Sequence, residues 1–251
     1  MSSIEISAIT FIFVFGGALL GISIGPRLPK HHLDADTKDV VRLAMALVGT
    51  LAAIALGLLI SSAYSYYNSQ TDELVHASAN VAALGRLLQR YGPEANGARE
   101  SLRMAVERIL VEMWPPQRAQ KPKFSSTKAP VEDVYDQLEG LTPKDDAQRM
   151  MKSEALGLLK GLSQIRWLIL EQASTTVLRP LLFVMIFWLT GIFVSWGLFA
   201  PPNATTVTTF FVAALCASAA ILLILDLYSP YSGLLRVSSA PLRLAYESLG
   251  R

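Results

Sequence analysis

The chain has 251 residues, of which 52% are hydrophobic and 17% charged, against ~25% charged in an ordinary soluble domain; a wholly water-soluble domain is excluded. A net charge of +2 from 22 basic and 20 acidic residues, interleaved instead of gathered in one-sign stripes, excludes a nucleic-acid-binding surface. One cysteine, Cys216, excludes an intrachain disulfide and a thiolate metal cluster.

The first uncharged run, Ile6 to Pro26, is long enough to span a bilayer at roughly 1.5 Å rise per residue. Glu5 is the charge before it, and neither a basic n-region nor a small-x-small cleavage site accompanies it, so a retained helix is expected in place of a signal peptide. Gly17, Gly21 and Gly25 recur every fourth residue and leave one face bare for close approach of another helix, within the chain or in a second subunit. Pro26 ends the helix, and RLPKHHLDADTKDVVR forms a polar connection. His31, His32, Asp34 and Asp36 lie here, but adjacent histidines do not converge on one ion, so no metal site is expected. Asp36 and Thr37, followed by Asp39, predict the capped start of the second helix.

That second helix organises the chain. Leu43 to Ser61 is charge-free and long enough to cross the membrane. Tyr64, Tyr66 and Tyr67 form an aromatic cluster of headgroup type. Leu74, Ala77, Val81, Leu84 and Leu88 then return at spacings of three and four, which continues the same helix to Arg90 as an amphipathic rod in water. YGPEANG predicts a turn, and Ala98 to Met113 a second arm with Leu102, Val106, Ile109, Leu110 and Met113 on its apolar side. The proline-rich and basic WPPQRAQKPKFSSTKAP is expected to be a loop.

Val131 to Gly140 predicts a short helix, and Thr142, Pro143 and Asp145 predict the start of a long one. Its apolar residues run from Met150 and Met151 through Ala155, Leu158, Leu159 and Leu162 to Ile165, Leu168, Ile169 and Leu170. It is expected to pack on the Leu74 to Arg90 arm. Pro180 to Leu225 is charge-free and divided at Pro201, Pro202 and Asn203, which predicts a membrane hairpin. Asn203 and Thr205 match a glycosylation sequon, a pattern too short to carry weight. Turn signals at Pro230 and Gly233 and an amphipathic helix after Pro241 complete the chain.

The expected fold is an all-α integral membrane protein: four transmembrane helices with a helical cytoplasmic region inserted between the second and third. The boundaries are 1–64 for the first two spans, 65–177 for the extramembrane region, 178–228 for the last two spans and 229–251 for the tail. Arg27, Lys30, Lys38 and Arg42 on one side, against Lys160, Arg166, Arg179, Arg236, Arg243 and Arg251 on the other, favour cytoplasmic termini. Paired carboxylates in the spans, an HExxH motif, a nucleophile elbow and a phosphate-cradling glycine loop are all missing from the sequence, so neither an enzyme nor a cofactor is expected.

Two stretches carry a family resemblance. LGLLISSAYSYYNSQTDELVHASANVAAL and LDLYSPYSGLLRVSSAPL are similar to runs of the bestrophin-like family of bacterial membrane proteins, itself distantly similar to bestrophin anion channels. The resemblance implies five subunits around a pore whose apolar neck lies on the second helix of each. The matching positions are Thr50, Ile54 and Leu58, with Leu56 and Gly57 as the family's Leu-Gly pair. Their spacing of four puts them on one helix face, where a ring of apolar side chains gates by dewetting. Thr50 is polar where the family neck is aliphatic, Leu58 replaces an aromatic residue, and His76 and Ala77 depart from the charged pattern that follows the channel helix. Tyr228, Tyr231, Ser232 and Arg236 are candidate contacts between subunits or within the tail. The partners implied are membrane lipid, further copies of this chain and small anions, in a bacterial inner membrane. The competing expectation is a non-conducting scaffold whose helices from Asp72 to Glu171 bind a partner.

Overall fold

A computed structural model describes residues 2–29, 34–114, 130–173 and 178–250. Lys30, His31, His32, Arg251 and the connection 115–129 lie outside the described residues, as do the side chains of Ile165, Arg166, Leu168, Ile169, Leu170 and Arg179. Every element described is helical: α1 (Ser3–Ile24), α2 (Ala35–Tyr91), α3 (Asn96–Met113), α4 (Pro130–Glu139), α5 (Asp146–Ala173), α6 (Leu178–Leu198), α7 (Ala204–Leu227) and α8 (Ala240–Leu249). Among the described residues, four stretches are long and apolar enough to cross a membrane: Ser3–Arg27, Ala35–Tyr91, Pro180–Leu198 and Ala204–Leu227. The chain divides into two units, Met1–Tyr66 with Thr176–Tyr228, and Tyr67–Thr175 with Ser229–Arg251. Helix α2 contributes to both.

In the first unit, α1 begins three residues before the predicted Ile6, because Ser2 and Glu5 form a capping box. The Ser2 hydroxyl accepts from the Glu5 N–H at 3.2 Å, and the Glu5 carboxylate accepts from the Ser2 N–H at 2.8 Å, so two of the helix's unpaired first-turn donors are satisfied. Pro26 does not stop the chain abruptly: Gly25–Arg27 tightens into one 3-10 turn, a geometry that tolerates proline near its start. Helix α1 packs on both α6 and α7. On the α7 side, the Phe211 ring meets those of Phe11 and Phe15 edge-on at 5.4 and 5.5 Å, and the Ser7 hydroxyl donates to the Ser218 carbonyl at 2.8 Å. Asn203 caps α7 by accepting from the Thr206 N–H at 2.8 Å, a local reason for asparagine within the sequon.

Helix α2 starts two residues earlier than Asp36 and Thr37 suggested. Asp34 caps it, accepting from the Thr37 N–H at 3.0 Å, while Asp39 makes an exposed ion pair with Arg42. Within the first unit α2 buries Ala52, Leu59 and Ala63.

The second unit has its own core. Leu74, Val81, Leu84 and Leu88 of α2 meet Leu102, Val106 and Met113 of α3, Val134 and Leu138 of α4, Ala155 and Leu159 of α5, and Leu242, Ala245 and Leu249 of α8. Gly92, at φ 120°, allows the reversal between α2 and α3, a backbone region that side chains disfavour. Helix α5 lies on α2, its Gly161 facing Asn80. It starts at Asp146, past the predicted Thr142 and Pro143, because Asp145 is the residue whose carboxylate accepts from the Gln148 N–H at 2.7 Å. Lys144 pairs with Glu94 and the Gln148 amide donates to the Tyr91 carbonyl at 3.0 Å, which fixes this later start against the end of α2.

Candidate functional site

Thr50, Ile54 and Leu58 share the face of α2 that points away from Ala52, Leu59 and Ala63. All three are exposed, Ile54 by 57% and Leu58 by 67%. Leu43, Leu47 and Leu51 extend the same outward surface, and no charged residue occurs between Leu43 and Thr71. The Thr50 hydroxyl donates to the Ala46 carbonyl one turn back at 2.9 Å. Its polar atom is thus satisfied within the helix, and the row is apolar in effect despite the threonine. Gly49 and Gly57 flank the row, with open space where a Cβ would stand. Each large apolar side chain kept out of water gains about 1.5–3 kcal/mol, so such a face calls for lipid or another protein surface.

A family model described as the bestrophin-like domain matches residues 12–242. The chain belongs to the bestrophin-like family. Among solved structures, a point mutant of a bacterial bestrophin homologue from Klebsiella pneumoniae is similar, with a TM-score of 0.69 over 96% of this chain and 97% of that one, at 13% identity. At that identity the likeness concerns the fold. None of the curated proteins matches the chain.

The other predicted site residues of this bestrophin-like chain have defined surroundings. Gly17 faces Thr190 and Val194 of α6, where a Cβ would lie 3.1 Å from a methyl carbon of each. A Cβ on Gly21 would lie 2.8 Å from the Leu198 nitrogen, and one on Gly25 2.5 Å from the Leu198 carbonyl oxygen. Their bare face therefore receives another helix of the same chain. Tyr228 shares a hydrogen bond with Ser62 at 2.9 Å and sets its ring 5.3 Å from that of Tyr66. Tyr231 is buried, donates to the Gln70 side-chain oxygen at 3.3 Å, and meets the Trp114 ring edge-on. Ser232 is exposed within the turn, its N–H donating to the Ser229 carbonyl, and half-buried Arg236 donates to the Gly233 carbonyl at 3.3 Å.

The sequence reasoning missed two residues of α2 in the second unit. Gln70 is fully buried. Glu73, nearly two turns beyond the tyrosine cluster, has one carboxylate oxygen shielded with no hydrogen-bond partner among the described residues. Burial pushes its carboxyl above the usual range, and a hydrogen bond with Ser69 opposes that only in part. The available signal was register: Gln70, Leu74 and Ser78 are four apart, and all three are buried. Among the described residues no group of acidic, histidine or cysteine side chains converges as a metal site.

Proposed function

We propose that this protein is a homo-oligomeric, pentameric anion channel of the bacterial inner membrane, with both termini and the helical insertion α3–α5 on the cytoplasmic side. Thr50, Ile54 and Leu58 of each subunit form its apolar neck. The outward, charge-free row on α2 carries this reading, in a chain of the bestrophin-like family. A closed ring of such rows narrows the water column and gates it by dewetting, without selecting by sign at that level. In the same assembly, Tyr228 and Tyr231 brace their own subunit, while exposed Ser232 and half-buried Arg236 lie where the tail meets a neighbour.

Purified protein in planar bilayers tests the proposal. Ile54→Ala and Leu58→Ala should raise the open probability or conductance by widening and wetting the neck, and Thr50→Val should change little because that hydroxyl is already bonded within the helix. Silence at every voltage and pH, from particles lacking a central axis, would rule the channel out. A second reading rests on Met104, Val111 and Met150, apolar side chains exposed on the second unit. A non-conducting monomer that captures a partner through them would favour the scaffold.

A further inference from the structure

The second unit leaves one side of α2 uncovered. Leu74, Val81, Leu84 and Leu88 are buried in that unit's core, while Asp72, His76, Ala79, Arg86 and Arg90, on the opposite side of the helix, are exposed. At ~3.6 residues per turn, positions eighteen apart share a face. Ile54, Asp72 and Arg90 form one such series, and Thr50, Asn68 and Arg86 another. The uncovered row therefore keeps the register of Thr50 and Ile54 along one uninterrupted helix, and it ends in two arginines.

Helix stability does not account for this pair. Like charges four apart on a helix repel, and the neighbouring positions that could hold a compensating acid carry Ala82, Ala83 and Gln89 around Arg86, and Leu87 and Pro93 around Arg90. Glu94 lies beyond the end of α2 and pairs with Lys144 instead. Neither arginine joins an ion pair among the described residues. Arg90, in the last turn, offsets the negative helix end, a role that does not extend to Arg86 one turn further in. Glu94, Asp145 and Lys144 act on buried Tyr91, off this row, and sum to one negative charge against the two positive ones. Asp72 is fourteen residues before Arg86, about 21 Å along the axis, more than two Debye lengths at ~0.15 M salt, so it does not neutralise them.

We propose that Arg86 and Arg90 of each subunit line the cytoplasmic mouth of the conduit and concentrate small inorganic anions there, ahead of the neck. The inference rests on the channel reading above. Repeated around an axis, the two positions make two rings of positive charge about 6 Å apart along the helix. Both side chains are exposed and no pocket encloses an ion between them, so they act through their field: they raise the rate of anion entry without holding the ion. Such focusing weakens as salt screens it.

Single-channel currents of the full-length protein in planar bilayers are compared in KCl at about 10 mM and about 1 M, where the Debye length is roughly 30 and 3 Å. The double variant Arg86→Gln with Arg90→Gln should lose up to about tenfold of the anion current at the lower salt, the low end of such focusing, and keep the native current at the higher. Arg86→Lys with Arg90→Lys keeps the charge and should keep the current at both. Arg108→Gln, which removes an exposed charge from α3, should change neither. A native current at low salt in the double glutamine variant overturns the inference, as does a loss equal at both salts or one matched by Arg108→Gln. A KCl gradient separates this failure from that of the channel reading. A silent native chain, or one whose reversal potential follows potassium, ends both; an anion-selective native current without the salt-dependent loss ends this inference alone.

Discussion

Gly21→Ala and Gly16→Ala make the same chemical change on one helix and are expected to have opposite effects. An added Cβ at Gly21 meets the backbone of α6, 2.8 Å from the Leu198 nitrogen and 3.0 Å from the Gly197 carbonyl carbon, whereas at Gly16 it meets nothing within 4 Å. Both substitutions gain about 0.5–1 kcal/mol of helix preference. At Gly21 that gain is set against overpacking of about 1–3 kcal/mol, toward the upper end because a helix backbone yields less than a side chain. The two variants should therefore differ by about 2–3 kcal/mol, Gly16→Ala being as stable as the native chain or more so. Reversible unfolding in mixed detergent micelles measures the difference, and since the helix-preference gain is common to both, it isolates the contact. If Gly21→Ala unfolds together with Gly16→Ala, α1 and α6 are not in backbone contact and the packing of the first unit has been misread.

Two further outcomes follow from polar groups of the second unit. The Glu73 carboxyl is raised above its ordinary value of 4.5 by burial, so the native state binds more protons than the unfolded chain between 4.5 and the raised value, and stability falls as pH rises through that window. Glu73→Gln should thus raise the melting temperature at pH 7.5 and lose its advantage toward pH 4.5; an advantage that grows with acidity would refute the sign. Tyr231→Phe removes the donor that meets the side-chain oxygen of fully buried Gln70 and should cost about 1–3 kcal/mol in unfolding, while an unchanged stability would mean that the tail is not anchored through that pair.

The long second helix was legible because its apolar period persists from Leu43 to Leu88 without a proline. Its start was not, because Asp34 and Asp36 are chemically equivalent caps and the surrounding fold selects between them. The same competition displaced α5: Thr142 and Asp145 both suit a helix start, and the contacts of Lys144 with Glu94 and of Gln148 with Tyr91 favour the later one. The glycine repeat on α1 announced a close helix contact by composition alone, yet the identity of its neighbour depends on Gly197, Thr190 and Val194, which no local pattern links to it. Gln70 escaped notice because a glutamine just past an aromatic cluster looks solvated. Only its register with Leu74 and Ser78 places it on the buried stripe.

Glycine serves different ends on the first two helices, and this yields one more prediction. On α1, Gly21 and Gly25 are occupied by the α6 backbone, whereas on α2, Gly49 and Gly57 have nothing within 4 Å. Glycine inside a helix costs roughly 1 kcal/mol against alanine, a cost that packing within one subunit does not offset on α2. In the proposed assembly that open space beside Ile54 and Leu58 is where the neighbouring α2 approaches. Gly57→Leu should then leave the thermal unfolding of a single subunit as it is or improve it, since the added Cβ has open space around it within the chain. It should also disperse the oligomer, read as a loss of the high-mass species in native mass spectrometry from detergent. An oligomer that survives Gly57→Leu with unaltered conductance would show that this side of α2 faces lipid, and that the subunits meet elsewhere.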